Sequence, residues 1–264
     1  MAGLAAVFGS GAMTNSIPEI ENNDVLFVIG SNTTETHPII GLRMKKAVRK
    51  GAKLIVADPR KINLVRFAHS WMQQKPGTDV VLLNAMMHVL LKNNLIDRVF
   101  ILIRTEGFES FKEGLEQYTP EYAEKITGVP KQDIIKAALL YGNAERPGIY
   151  YTMGITQHSH GTDNVYAIAN LALMTGNLGM ESTGVNPLRG QNNVQGSTDM
   201  GCIPDQYPGY QKVNLPPIKT KFEKAWGVKL SNKVGLTAME MMGAAIEGKM
   251  KAMYIMGENP VLSD

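Results

Sequence analysis

Asp24–Gly30 reads Asp-Val-Leu-Phe-Val-Ile-Gly, and Lys53–Asp58 reads Lys-Leu-Ile-Val-Ala-Asp. A segment that stays apolar at nearly every position suits a strand covered on both faces, as strands of a parallel sheet are. Between the two, His37-Pro38 places a proline in a first helical turn, and Ile39, Leu42, Met44 and Val48 supply apolar positions. Gly51 can then end the helix in the left-handed conformation. The pattern predicts a strand–helix–strand unit with a right-handed crossover. Further on, Thr78 or Asp79 caps a predicted helix running to about Leu91, whose buried face is Val80, Leu83, Met87 and Leu90 or Leu91. Thr119-Pro120-Glu121 and Val129-Pro130 open two shorter helices, the second ending near Gly142. Ile149–Met153 reads as another buried strand followed by Gly154, and Thr162 or Asp163 caps a helix that ends at Gly176.

Strand and helix alternate in this way over roughly residues 15–185, which predicts a three-layer αβα sandwich around a mostly parallel, Rossmann-like sheet in a first domain, 1–190. The character then changes. Residues 200–232 are rich in proline, tyrosine and lysine with little periodicity, and are expected to form an extended crossing. Thr237–Glu247 reads as a helix and Ala252–Met256 as a strand. Tyr-Ile-Met-Gly-Glu-Asn-Pro at 254–260 echoes Phe-Val-Ile-Gly-Ser-Asn-Thr at 27–33, each an apolar strand followed by Gly, any residue and Asn. Residues 191–264 are therefore expected to hold a linker and an incomplete portion of a second α/β dinucleotide-binding domain.

Composition narrows the function classes. A formal charge of +3 over 264 residues is too small, and the basic residues too dispersed, to argue for nucleic acid. Lys45, Lys46, Arg49 and Lys50 cluster near a predicted helix end, where cations suit the dipole. Cys202 is the one cysteine, so the chain can form no intrachain disulfide and cannot hold an iron–sulfur cluster by itself. The 16 methionines fall in apolar segments and read as core filler. No apolar run approaches the length of about 18 residues that suggests a membrane span, and residues 1–13 lack a basic leader. The expectation is a soluble protein without a membrane segment, with a cytoplasmic location.

Ligands of open parallel sheets gather outside the carboxyl ends of the strands. Gly30-Ser31-Asn32-Thr33, Asp58-Pro59-Arg60 and Met153-Gly154-Ile155-Thr156-Gln157 all fall there, although none is a Gly-x-Gly-x-x-Gly or Walker A loop. Asp58 could hold a ribose hydroxyl, and Arg60 could pair with a phosphate or merely with Asp58. In Lys75-Pro76-Gly77-Thr78-Asp79 the aspartate could accept from N1 and N2 of guanine or simply cap a helix. His158-x-His160 lacks a nearby third ligand and reads as a polar loop, not a metal site. Gly184–Gly196 holds five side-chain amides, three glycines and one charge, Arg189. It has too little apolar content for a core element and reads as a pocket lining, in which an isolated guanidinium suits a small carboxylate or phosphate. No nucleophile motif accompanies it.

These residues resemble the molybdenum- or tungsten-bis(pyranopterin guanine dinucleotide) oxidoreductases, most closely formate dehydrogenase catalytic alpha subunits. The likeness runs over essentially 1–264 and rests on Gly-Ala-Met-Thr-Asn-Ser-Ile at 11–17, the Gly-Ser-Asn and Ala-Asp-Pro-Arg-Lys strand ends, and Arg-Thr-Glu-Gly-Phe-Glu at 104–109. Leu-Met-Thr-Gly-Asn-Leu-Gly at 173–179, Asn-Pro-Leu-Arg-Gly-Gln-Asn-Asn-Val-Gln-Gly at 186–196, Asp-Met-Gly at 199–201 and Tyr-Pro-Gly-Tyr at 207–210 continue it. The resemblance implies that Gly30, Asn32, Asp58, Arg60, Gly77, Asp79, Gly154, Gln157, Gly176, Asn177 and Gln191 lie at or near the pterin guanine dinucleotide (bis-MGD). Ser31, Met153, Gly190 and the echoed Asn259 are added from their places in the same loops. Arg189 matches the active-site arginine, which would hold formate while two electrons pass to the metal. The family's metal-ligating Cys or selenocysteine and its [4Fe-4S] cysteines would precede Met1, and the rest of the second dinucleotide site would follow Asp264. The expectation is an internal fragment of a formate dehydrogenase alpha subunit, inactive alone, whose parent works with an electron-transfer partner subunit or domain. Nitrate reductases, NADH-quinone oxidoreductase subunits and a binding-only nucleotide module are the competing readings.

Overall fold

The computed structural model describes residues 2–191, 193–257 and 259. The chain divides into two compact units, Met1–Gly190 and Gln191–Asp264.

In the first unit β1 (Val25–Ile29) is the centre of a five-stranded sheet. It pairs in parallel with β2 (Lys53–Ala57) on one side and β4 (Pro147–Tyr151) on the other, with Phe27 opposite Ile55 and Ile149. β3 (Ser70–Met72) joins beyond β2 and β5 (Val185–Pro187) beyond β4, so the order is β3-β2-β1-β4-β5. All four pairings are parallel. The helices follow in chain order: α1 (Ala2–Phe8), α2 (Thr33–Thr36), α3 (Pro38–Arg49), α4 (Asp79–Lys92), α5 (Arg98–Arg104), α6 (Phe108–Leu115), α7 (Pro120–Thr127), α8 (Lys131–Gly142), α9 (Met153–Thr156) and α10 (Gly161–Met174).

The alternation of β1 separates two cores. Val25, Phe27 and Ile29 face a core built with α1, α4, α7, α8 and α10, whereas Leu26 and Val28 face Ile40, Met44 and Ala47 of α3. This is the three-layer αβα arrangement. Leu26, Phe27, Val28 and Ile29 are all 0% exposed, and complete burial of such side chains is worth about 1.5–3 kcal/mol each. That is why a continuous apolar run, instead of an alternating one, encodes the strand.

Several boundaries depart from the sequence reading. The strand read as Ile149–Met153 ends at Tyr151, because Thr152 Oγ1 and the Gly154 amide both donate to Gly30 O, at 2.7 and 3.2 Å, and Met153 opens α9. α10 begins at Gly161 after His160, before either proposed cap. The segment Gly184–Gly196 is not one lining loop: its beginning is the edge strand β5, with all three residues buried. Thr14 N donates to Val185 O and Val185 N to Thr14 Oγ1, while Asn186 Nδ2 donates to Thr183 O and its Oδ1 is buried with no partner among the described residues.

The second unit contains α11 (Val194–Asp199), the hairpin strands β6 (Gln206–Tyr207) and β7 (Gln211–Lys212), α12 (Pro216–Trp226) and α13 (Ala238–Ile246). Residues 200–232 are thus no extended crossing. Tyr207 and Phe222 stack with centroids 4.6 Å apart, and with Val213 they form a small core that draws α12 into a helix. Ala252–Met256 is not a strand and pairs with no strand among the described residues. Among the described residues no helix is long and apolar enough to cross a membrane.

Candidate functional site

The sheet order changes direction at β1: the chain moves outward through β2 and β3, then returns to place β4 on the other side. The loops after β1 and β4 therefore part at this point, where open α/β sheets leave a crevice. Gly30, after β1, has φ +56°, and an added Cβ would lie 2.7 Å from the Gly154 carbonyl carbon. The two loop backbones touch here and form the floor of a cavity of about 370 Å³.

Of the residues singled out in sequence, Gly30, Asn32, Asp58, Arg60, Asp79, Met153, Gly154 and Gly190 line this cavity together. Asp58 and Asp79 are each 3% exposed. Burial pushes the Asp58 carboxyl above its ordinary range, the Arg60 amide and guanidinium pull it down, and the Asp79 charge adds to the rise. Arg60 donates its amide to Asp58 Oδ1 at 2.8 Å, while its side chain stays largely in solvent. Asp79 does not act as a simple cap. It is the first residue of α4, Thr78 makes no side-chain cap, and Asp79 Oδ1 accepts instead from Gln74 Nε2 at 3.0 Å. His158 Nε2 lies 3.9 Å from Asp79 Oδ2 and donates to Gly154 O at 2.9 Å.

Gln74 is the site residue that sequence reading missed. It follows β3, a three-residue strand whose Ser-Trp-Met gives no apolar run, so its loop was not placed on the rim. Thr36, His37, Thr152 and His158 also line the cavity. The remaining candidates lie elsewhere. Ser31 is buried under the rim with Oγ 2.8 Å from Thr33 Oγ1. Gly77, at φ +80°, makes the turn into α4, and Gln157 is exposed at the end of α9. Gly176 and Asn177 lie beyond the far end of α10, 14 residues or about 21 Å from its start at the cavity. A Cβ on Gly176 would meet Asp97 Oδ2 at 2.6 Å and Asn177 N caps back to Ala172 O, so packing and helix closure account for both. Gln191 and Asn259 are exposed residues of the second unit.

Arg189 follows β5 and is half-buried. Its Nη2 donates to Gly11 O, and its own carbonyl accepts from His37 Nε2. Burial pushes the Tyr151 phenol up, and the Arg189 charge opposes that rise.

The cavity lining combines acceptors and donors: Asp58 and Asp79, with Asn32 and Gln74, whose Oδ1 and Oε1 are buried with no hydrogen-bond partner among the described residues, stand beside Arg60, Thr36, Thr152 and His158. The acceptors among them suit clustered N–H and O–H groups, as the amino-purine edge and ribose of a guanine nucleotide supply. An adjoining polar cleft is lined by Arg60, Lys61 and Arg66 together with Glu35.

A family model described as molybdopterin oxidoreductase matches residues 3–264. The F420-dependent formate dehydrogenase subunit alpha of Methanocaldococcus jannaschii is 55% identical over 263 residues, covering 99% of this chain and 38% of the relative. Formate dehydrogenase H of Escherichia coli is 48% identical, covering 100% of this chain and 37% of the relative. The chain thus spans a little over a third of the length of these curated relatives. Among solved structures, the acetylene hydratase from Pelobacter acetylenicus superposes with a TM-score of 0.63 at 26% identity, covering 69% of this chain and 25% of that one.

Proposed function

The chain belongs to the molybdopterin oxidoreductase family, and from that premise we propose that it is the cofactor-cradling part of a formate dehydrogenase alpha subunit. The observation that carries the reading is the buried acceptor wall of Asp58, Asp79, Asn32 and Gln74 beside a half-buried Arg189. Asp79, oriented by Gln74, accepts from the base of a guanine dinucleotide; Asp58 accepts from ribose hydroxyls, which adds donors to a buried carboxylate whose hydrogen bond within the protein comes from the Arg60 amide. A molybdenum or tungsten pterin guanine dinucleotide cofactor (bis-MGD) would supply two-electron redox chemistry when bound, and a [4Fe-4S] cluster, for which this sequence carries too few cysteines, would belong to the parent subunit. Arg189 holds the formate carboxylate by charge-assisted hydrogen bonds and fixes its orientation. An electron-transfer partner subunit or domain belongs to the same reading, in keeping with the alpha-subunit names of the relatives.

The test uses the full-length subunit carrying this sequence, with its cofactor. Formate-dependent dye reduction is expected in the wild type and is expected to fall by at least about a hundredfold in Arg189→Ala with metal content retained. Unchanged turnover in that variant rejects the formate role.

A further inference from the structure

We propose that His37 is a positioning residue for Arg189, tying the wall of the nucleotide cavity to the loop that carries the guanidinium. The proposal rests on the reading of Arg189 as the formate-holding residue and names the group that fixes it.

His37 lies between α2 and α3, immediately before Pro38. Its Nε2 contacts Arg189 O, and its Nδ1 lies 2.8 Å from Thr36 Oγ1. A backbone carbonyl can only accept, so Nε2 must carry a proton. Thr36 has a single hydroxyl proton: given to Nδ1 it leaves Asn32 O without it, and given to Asn32 O it makes Nδ1 a donor too, and in both arrangements Nε2 donates to Arg189 O. The geometry therefore fixes Nε2 as the donor to Arg189 O.

The consequence is a connected path. Asn32, Thr36 and His37 all line the cavity, and Thr36 Oγ1 is also 3.2 Å from Asn32 O. From His37 the path reaches the main chain of Arg189, whose guanidinium is held at its other end by Gly11 O. Arg189 is thus clamped at both ends, once through its carbonyl and once through its side chain. Beyond β5 the chain leaves the sheet, so no ladder bond fixes this backbone; only Leu188 N, donating to Tyr151 O at 2.9 Å, precedes it. His37 supplies the constraint that the sheet does not.

Two substitutions separate this role from simple packing. In His37→Gln the amide nitrogen reaches the place of Nε2 and can donate to Arg189 O. In His37→Asn the side chain reaches only the place of Nδ1 and keeps the Thr36 contact alone. In the full-length cofactor-loaded enzyme, His37→Asn is expected to raise the formate KM and lower kcat/KM by about tenfold to a hundredfold, the scale of a small misplacement of a substrate-holding group. His37→Gln is expected to stay within about threefold of wild type. Guanine nucleotide released per protein on acid hydrolysis is expected to be unchanged in both. Deuterium uptake in the peptide spanning 188–190 is expected to speed up in His37→Asn and not in His37→Gln. Equal behaviour of the two variants in kinetics and exchange overturns the proposal, as does a loss of nucleotide in His37→Asn that matches its loss of activity. Arg189→Ala, assayed alongside, separates the two readings: wild-type turnover there removes the formate role, whereas an inactive Arg189→Ala beside two equal His37 variants removes only the positioning role.

Discussion

The two units begin a helical segment with the same device and derive different things from it. In the first, Glu19 Oε1 accepts from Ser16 N and Ser16 Oγ at 2.8 and 2.7 Å; in the second, Glu240 Oε2 accepts from Thr237 N and Thr237 Oγ1, both at 2.8 Å. Glu240 stops there, and α13 buries none of its residues. Glu19 goes on to accept from Asn15 Nδ2 and, 163 positions away, from Ser182 N. A local capping motif fixes where a helix starts, but only the long-range partners fix where it sits. In the first unit that placement holds the Gly11–Asn23 segment beside β5, and Gly11 is where Arg189 anchors.

The sharpest contrast between the units lies in their cores. Phe27→Ala removes a 0% exposed ring packed edge-on against Tyr141, and is expected to destabilise the first unit by about 3–5 kcal/mol. Met239→Ala, at a side chain 70% exposed on α13, is expected to change stability by less than about 0.5 kcal/mol. The chain has two tryptophans, Trp71 in the first unit and Trp226 in the second, so denaturant unfolding can be followed separately in Trp226→Phe and Trp71→Phe backgrounds. Comparable losses for the two truncations would erase the distinction.

Glycines give the next test. Gly30→Ala meets both a left-handed backbone and the Gly154 main chain, and is expected to cost the first unit about 2–4 kcal/mol. Gly243→Ala in α13 meets nothing within 4 Å and is expected to stabilise that helix by up to about 1 kcal/mol. Urea midpoints read through the same two tryptophans decide it, and an unchanged midpoint for Gly30→Ala would show that the floor of the cavity is not rigid.

The same contrast explains what could be read from sequence. β1, β2, α3, α4, α7 and α8 were legible because both faces of a strand or one face of a helix are buried against the core, which leaves its mark in residue type. β3 and β5 are edge strands of three residues whose Ser70 and Asn186 do not read as apolar. Their burial depends on neighbours that no short window contains. Missing β3 hid Gln74; reading Gly184–Gly196 as one lining hid the strand that aims Arg189. α12 was overlooked because its Ile218, Phe222 and Trp226 stripe is short and opens on two prolines, and its partner Tyr207 lies in a hairpin. Gly176 and Asn177 close the end of α10 against Asp97, a packing role that a window of sequence around them does not show.

The smallest expected effect tests the capping boxes themselves. Hydrogen bonds from Asn15, then from the Ser182 and Ser16 amides, hold the Glu19 carboxyl down to about 2 from its ordinary 4.5. A carboxyl whose folded pKa lies below its unfolded value contributes stability that is complete above the unfolded pKa and is lost as pH falls through the folded one. The Glu19 contribution is therefore expected to disappear between about pH 4.5 and pH 2, which the difference in Tm between wild type and Glu19→Gln across that window isolates. Glu240 is also held low, by the Thr237 amide and then its hydroxyl, yet it is open to solvent and, among the described residues, bonds only within its own turn. Glu240→Gln is expected to alter the acid dependence much less. If the two glutamates produce equal shifts, the long-range bond to Ser182 N contributes nothing, and the seam that anchors Gly11 must be held by the Thr14 bonds to β5 with those of Asn15 to Met180 O and Asn23 to Ser182 O.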